Sequence, residues 1–198
     1  MNESQHIAPG FEDAVRDSQA AFRTLLDALS QPGRVWRMPS TREPALGLAP
    51  ATAELCLCVL DRSTALWVDP ALDGDAIGAF LRFHTGCETT RDPEAADFAI
   101  LRRCHDSEIL SAFCAGTPEF PDRSCTVFIQ ADGLADDTGV ALQGPGIENT
   151  QWLTVDGAGP AFWSFVKQNN ERYPLGIDIV FISGDDIAGL PRSTRVGM

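Results

Sequence analysis

The densest chemistry in the chain lies in Leu81-Arg82-Phe83-His84-Thr85-Gly86. The apolar spacing around these residues predicts the end of a helix. His84 then sits near a helix C-terminus, where the backbone dipole favours a protonated imidazole. Arg82 follows Gly78 by four residues, so a position without a side chain lies one turn below the guanidinium and leaves room for a ligand. Together the two cationic groups could hold a phosphate. A surface arginine, and a histidine bonded to the last helical carbonyls, would leave the same residues. Arg23, at the edge of the first helix's apolar face, and Arg192, beyond the last apolar run, are further candidates for anion binding. An ion pair with one of the 28 acidic residues is the alternative for each.

Other reaction centres find little support. Ser, His and Asp are present, but no G-x-S-x-G turn is. His6, His84 and His105 form no H-E-x-x-H pair. Leu142-Gln-Gly-Pro-Gly-Ile147 is glycine-rich, yet it is neither G-x-G-x-x-G nor a Gly-Lys-Ser/Thr phosphate loop, and it reads as a tight turn. Lys167 is the only lysine. It falls on the polar side of the last helix with Gln168 and Glu171, whereas a Schiff-base lysine needs desolvation. The cysteines at 56, 58, 87, 104, 114 and 125 make no C-x-x-C, and they read as buried free thiols of a reducing, cytoplasmic compartment. No self-sufficient active site, resident cofactor or metal is expected.

The totals narrow the function classes. With 198 residues and 44% hydrophobic residues, the chain can build one domain with a real core. A net charge of −13 argues against nucleic-acid binding, which needs Lys and Arg on phosphates, and no apolar run reaches the ~20 residues of a membrane helix. Fourteen of the fifteen basic residues are Arg. That bias fits bidentate grips on phosphate or carboxylate, or codon usage alone. Residues 1–10 have no basic or apolar leader region and read as a mobile tail before a single domain over 11–198.

The elements that must position these groups follow from periodicity. Helices are expected over Phe11–Ser30, with Val15, Phe22, Leu25, Leu26 and Leu29 inward, and over Ala51–Leu60 and Ala76–Thr85. A short helix should run from Asp106 to Phe113, and a long one should begin at Pro160. Strands are expected at Arg34–Met38, Ala65–Val68, Asp97–Leu101, Cys125–Gln130, Val140–Leu142 and Gln151–Val155. Pro39–Pro50 reads as a loop and Asp132–Gly139 as an acidic turn. Ile177–Ile182 and Ile187–Leu190 read as a hairpin at the sheet centre that delivers Arg192 and Arg195 to its rim. The expected fold is a three-layer α/β/α domain with a mixed sheet.

Several of these segments together resemble the PhnH family, the H subunit of the bacterial carbon–phosphorus lyase core complex. They are Phe22-Arg23 with Leu25-Leu26, Ser30-Gln-Pro-Gly33, Leu81-Arg-Phe-His-Thr85, Gly144-Pro-Gly-Ile147, Pro174-Leu-Gly-Ile-Asp178 and Leu190-Pro-Arg-Ser-Thr194. The resemblance runs from about Phe11 to Val196, and its last two motifs are the specific part. It implies a reduced pyridoxal-phosphate-transferase-like fold without the cofactor site. It also implies a homodimer and assembly with the G, I and J subunits. The implied reaction of that assembly replaces the adenine of ATP by an alkylphosphonate, giving a ribose 1-alkylphosphonate 5-triphosphate. A radical iron–sulfur partner then breaks the carbon–phosphorus bond. The H subunit would assemble the complex or shape a substrate. An alkylphosphonate or ATP-derived ligand would fall to Arg82, His84, Arg192 and Arg23, which lie on the matching motifs. A stand-alone phosphate- or phosphonate-binding enzyme or sensor using Arg82 and His84 is the competing reading.

Overall fold

Among the described residues, ten strands and five α-helices build a mixed α/β protein. A computed structural model describes residues 8–39, 46–104 and 107–197. The expected tail thus lies mostly outside the described residues, as do His6, His105, the start of the short helix at Asp106 and the middle of the Pro39–Pro50 loop.

The chain opens with α1 (Ala14–Ser30), whose N-terminus is capped by the Asp13 carboxylate accepting from the Val15 and Arg16 N–H groups. Then come β1 (Val35–Arg37), α2 (Pro50–Val59), β2 (Ala65–Val68), α3 (Gly74–Thr85) and β3 (Glu88–Thr90). Asp73 caps α3, and Gly86 closes it in the left-handed conformation at φ 77°. The middle of the chain supplies β4 (Phe98–Leu101), the single turn α4 (Ser107–Leu110) and β5 (Thr126–Gln130). The last third supplies β6 (Leu134–Gln143), β7 (Gln151–Val155), α5 (Pro160–Glu171), β8 (Asp178–Ser183), β9 (Asp186–Leu190) and β10 (Arg195–Gly197).

Seven strands form the main sheet in the order β1-β9-β8-β5-β4-β2-β3. Pairings from β3 across to β8 are parallel, while β8–β9 and β9–β1 are antiparallel. The C-terminal hairpin, expected at the sheet centre, instead lies toward one edge, because the parallel strand β5 takes the central place. Both faces of the main sheet are covered. Leu66, Ile100, Phe128, Val180 and Ile187 pack with α1, α2 and α3, whereas Trp67, Leu101, Val127, Ile129 and Phe181 pack on the other face with Phe162 and Val166 of α5. The second sheet, ordered β10-β6-β7, adds Leu142 and Leu153 to that latter face.

Three further expectations are corrected. The acidic segment 132–139 is not a free turn. Much of it is strand β6, bulged between Ala135 and Val140, and the Asp136 carboxylate accepts the Val35 N–H at 3.1 Å. It thereby occupies a donor on the β1 edge. The short strands β3 and β10 were not expected, because three residues carry too little periodicity to detect. The third correction is in α1, whose buried residues are Ala21, Leu25 and Ala28. Val15, Phe22 and Leu26 are 80%, 48% and 49% exposed. The reason is close packing on β9. A Cβ at Gly189 would collide with the Ala28 backbone carbonyl, so glycine and small residues set this contact and the large side chains turn outward.

Candidate functional site

The four arginine and histidine candidates occupy separate surroundings. Arg82 lies on the exposed side of α3, with its guanidinium 3.2 Å from the Glu88 carboxylate. His84 is two residues on, and side chains at that spacing do not face each other on a helix. Its Nε2 donates to the Ala8 carbonyl at 2.9 Å, and its ring packs edge-on against Phe80 and Phe83. A side chain at Gly10 would run into the His84 ring, so the segment preceding α1 lies directly over the imidazole. Arg23 is exposed on α1 beside Phe22.

Arg192 sits in the most enclosed of these settings. Its Nε and Nη2 donate to the two oxygens of Asp178 at 3.2 and 2.7 Å, and its Nη1 donates to the Pro121 carbonyl at 2.6 Å. The Arg192 N–H also donates to Asp178, at 2.8 Å. The single polar residue in the apolar run of β8 thus receives the arginine that follows β9. Nearby, buried Asn169 of α5 accepts the Ile177 N–H and donates to the Ile177 carbonyl, both at 2.9 Å. The two C-terminal motifs are therefore tied to each other and to α5. Arg195, on the exposed strand β10, pairs opposite Gln143.

Two crevices open at the carboxyl ends of the parallel strands, where open α/β sheets receive ligands. The chain path reverses between β2 and β4, since β2 leads outward to β3 and the chain then crosses back to β4. The larger crevice, about 550 Å³, is lined by Trp67, Leu72, Asp69, Asp73, Asp75 and Arg91 among others. Asp69 and Asp73 are spent on structure, accepting the N–H groups of Ala71 and Arg102 and of Ala76 respectively.

The smaller crevice, about 330 Å³, lies between the ends of β4 and β5 and the start of α2. Its lining includes Arg102, Arg103, Gln130, Asp132 and Ala49. Gln130 fixes its wall. The Gln130 Oε1 accepts from the Ala49 N–H at 2.6 Å and the Thr52 hydroxyl at 3.0 Å, and its Nε2 donates to the Gly47 carbonyl at 3.0 Å. Arg102 and Arg103 were missed as candidates from the sequence. The available signal was two consecutive arginines directly after an apolar strand.

Five of the thiols are poorly disposed to act as nucleophiles. Burial pushes Cys104 up to about 12, with the Asp132 charge adding to it, and pushes Cys58 up to about 11, with Glu54 adding to it. Burial also raises Cys56, Cys87 and Cys125. Among the described residues no group of three or more His, Cys, Asp or Glu side chains is placed to hold a metal ion. No described helix is long and apolar enough to cross a membrane.

Fold and site together define a mixed α/β domain whose family motifs serve mainly to bind its own elements to one another. The chain belongs to the PhnH family of bacterial phosphonate metabolism proteins, whose model matches residues 9–197. It is 29% identical over 194 residues to "Alpha-D-ribose 1-methylphosphonate 5-triphosphate synthase subunit PhnH" of Rhizobium meliloti (strain 1021), covering 98% of this chain and 97% of that protein. It is 32% identical over 206 aligned positions to "Putative C-P lyase subunit protein HtxG" of Stutzerimonas stutzeri, covering all of this chain and 97% of that protein.

Proposed function

We propose that this chain is a subunit of a carbon–phosphorus lyase complex in phosphonate catabolism. The observation that carries this reading is a family match along nearly the whole chain, with two full-length relatives that are both named as subunits. The complex would convert ATP and an alkylphosphonate to a ribose 1-alkylphosphonate 5-triphosphate with release of adenine. This chain would assemble the complex and help shape its substrate, in the cytoplasm, beside the G, I and J subunits. A homodimer is part of the same reading. The exposed row of Val15, Phe22 and Leu26 on α1 supports a protein partner, because large apolar side chains grouped on one helix face mark a contact surface. Kinship to a reduced pyridoxal-phosphate-transferase scaffold is part of the same reading, and in it Lys167, exposed rather than desolvated, is unsuited to a Schiff base.

Arg82, His84 and Arg23 remain the proposed contacts to a phosphonate or ATP-derived ligand, at subunit interfaces rather than in one pocket of this chain, while Arg192 is engaged by Asp178 and Pro121. No observation favours a stand-alone enzyme built on Arg82 and His84, since each already has a partner elsewhere in the chain. Deleting the gene and supplying methylphosphonate as the sole phosphorus source tests the proposal. Growth should be lost and then restored by the intact gene. Unimpaired growth of the deletion strain would overturn it.

A further inference from the structure

The geometry points to a sugar-phosphate site in the 330 Å³ crevice, with Arg102 and Arg103 gripping the phosphoryl group and Asp132 accepting from the sugar hydroxyls. The volume lies within the range of small-ligand pockets. Both arginines line the crevice because the chain bends as it leaves β4, where a continuing strand would send successive side chains to opposite faces. The bend is held at Arg102, whose N–H donates to Asp69 at 3.0 Å. Neither guanidinium has an ion-pair or hydrogen-bond partner among the described residues. That differs from Arg37, Arg82 and Arg192, which are all paired with carboxylates. In a chain of net charge −13, two adjacent unpaired guanidinium groups in a crevice form a local anion trap.

The start of α2 borders the crevice but does not make the site. Pro50 has no N–H, the Ala49 N–H is held by Gln130, and the Ala51 N–H donates to the Gly184 carbonyl at 3.2 Å. Recognition must therefore come from side chains. Asp132 sets the ligand class, because a carboxylate on the same lining as two guanidinium groups disfavours a bare anion and suits a ligand that also carries hydroxyl donors. The larger crevice, with three aspartates to one arginine, has the wrong sign for the phosphoryl end.

The site stands on this chain's own geometry and is testable without any partner. Ribose 5-phosphate is titrated into the full chain by calorimetry, with inorganic phosphate and ribose as comparisons. Ribose 5-phosphate should bind more tightly than either. Arg102→Ala/Arg103→Ala should weaken it by about 10-fold or more, and Arg16→Ala, at an exposed position on α1, should leave it unchanged. Asp132→Asn should weaken ribose 5-phosphate while leaving inorganic phosphate no weaker. Ala49→Asp puts a carboxylate on the lining at a position where Asp is a good helix cap, so it should abolish binding in a folded chain. No binding of ribose 5-phosphate at 10 mM would overturn the assignment. So would equal affinity in the double arginine variant or in Ala49→Asp.

Discussion

Replacing Arg192 by Ala separates a structural role from a ligand-binding one. The substitution removes three hydrogen bonds, two to the Asp178 carboxylate and one to the Pro121 carbonyl. The side chains of Arg192 and Asp178 are 15% and 22% exposed. Exposed pairs contribute under about 1 kcal/mol, and breaking a fully buried pair costs about 3–5 kcal/mol. This pair lies between those limits, and Asp178 keeps one partner in the Arg192 N–H, so a loss of about 2–3 kcal/mol is expected. For a protein of this size that is a fall in melting temperature of about 5–10 °C. Urea unfolding of wild type, Arg192→Ala, Asp178→Ala and the double variant measures it. Asp178→Ala should cost more than Arg192→Ala, because it also strips the acceptor from the Arg192 N–H, and the two changes should be strongly non-additive. A loss under about 0.5 kcal/mol for Arg192→Ala, with additive behaviour, would refute the reasoning and return Arg192 to the pool of free ligand-binding groups.

Three other outcomes follow from the same packing. Gly189→Ala should cost about 1–3 kcal/mol by urea unfolding, since the new methyl meets the Ala28 carbonyl on a helix that cannot easily retreat. The raised thiols make stability fall in alkali. The folded state keeps the Cys56, Cys104 and Cys125 protons after the unfolded chain has lost its own, so their contribution is full below about pH 9 and declines above it. Each contributes a slope of up to about 1.4 kcal/mol per pH unit, and for Cys104 the decline continues to about pH 12. Val15→Asp/Phe22→Asp/Leu26→Asp should leave the fold intact by circular dichroism, yet abolish self-association or partner binding in sedimentation, because those side chains contribute little to the core.

What the sequence disclosed, and what it hid, has physical causes. The strands at Ala65–Val68 and Gln151–Val155 and the helix closed by Gly86 were legible because period, cap and breaker agree within a few residues. The inner face of α1 was misread because Ala21, Ala28 and Gly189 make a close helix–strand contact, while the larger Val15, Phe22 and Leu26 satisfy the same helical period from outside. Acidic residues made segment 132–139 look like a solvated turn, but Asp136 reaches across to the Val35 N–H, a contact 101 residues away in sequence. An ion pair was a stated alternative for Arg192, but nothing in the sequence singled out Asp178 among 28 acidic residues. Arg102 and Arg103 are adjacent in sequence, but the crevice they line exists only because the fold brings the end of β4 beside the start of α2.

The most direct test of the central claim is the native mass of this chain co-expressed with its proposed G, I and J partners. The account predicts one stable assembly that contains this chain. A chain that purifies alone, beside partners assembled without it, would contradict the account.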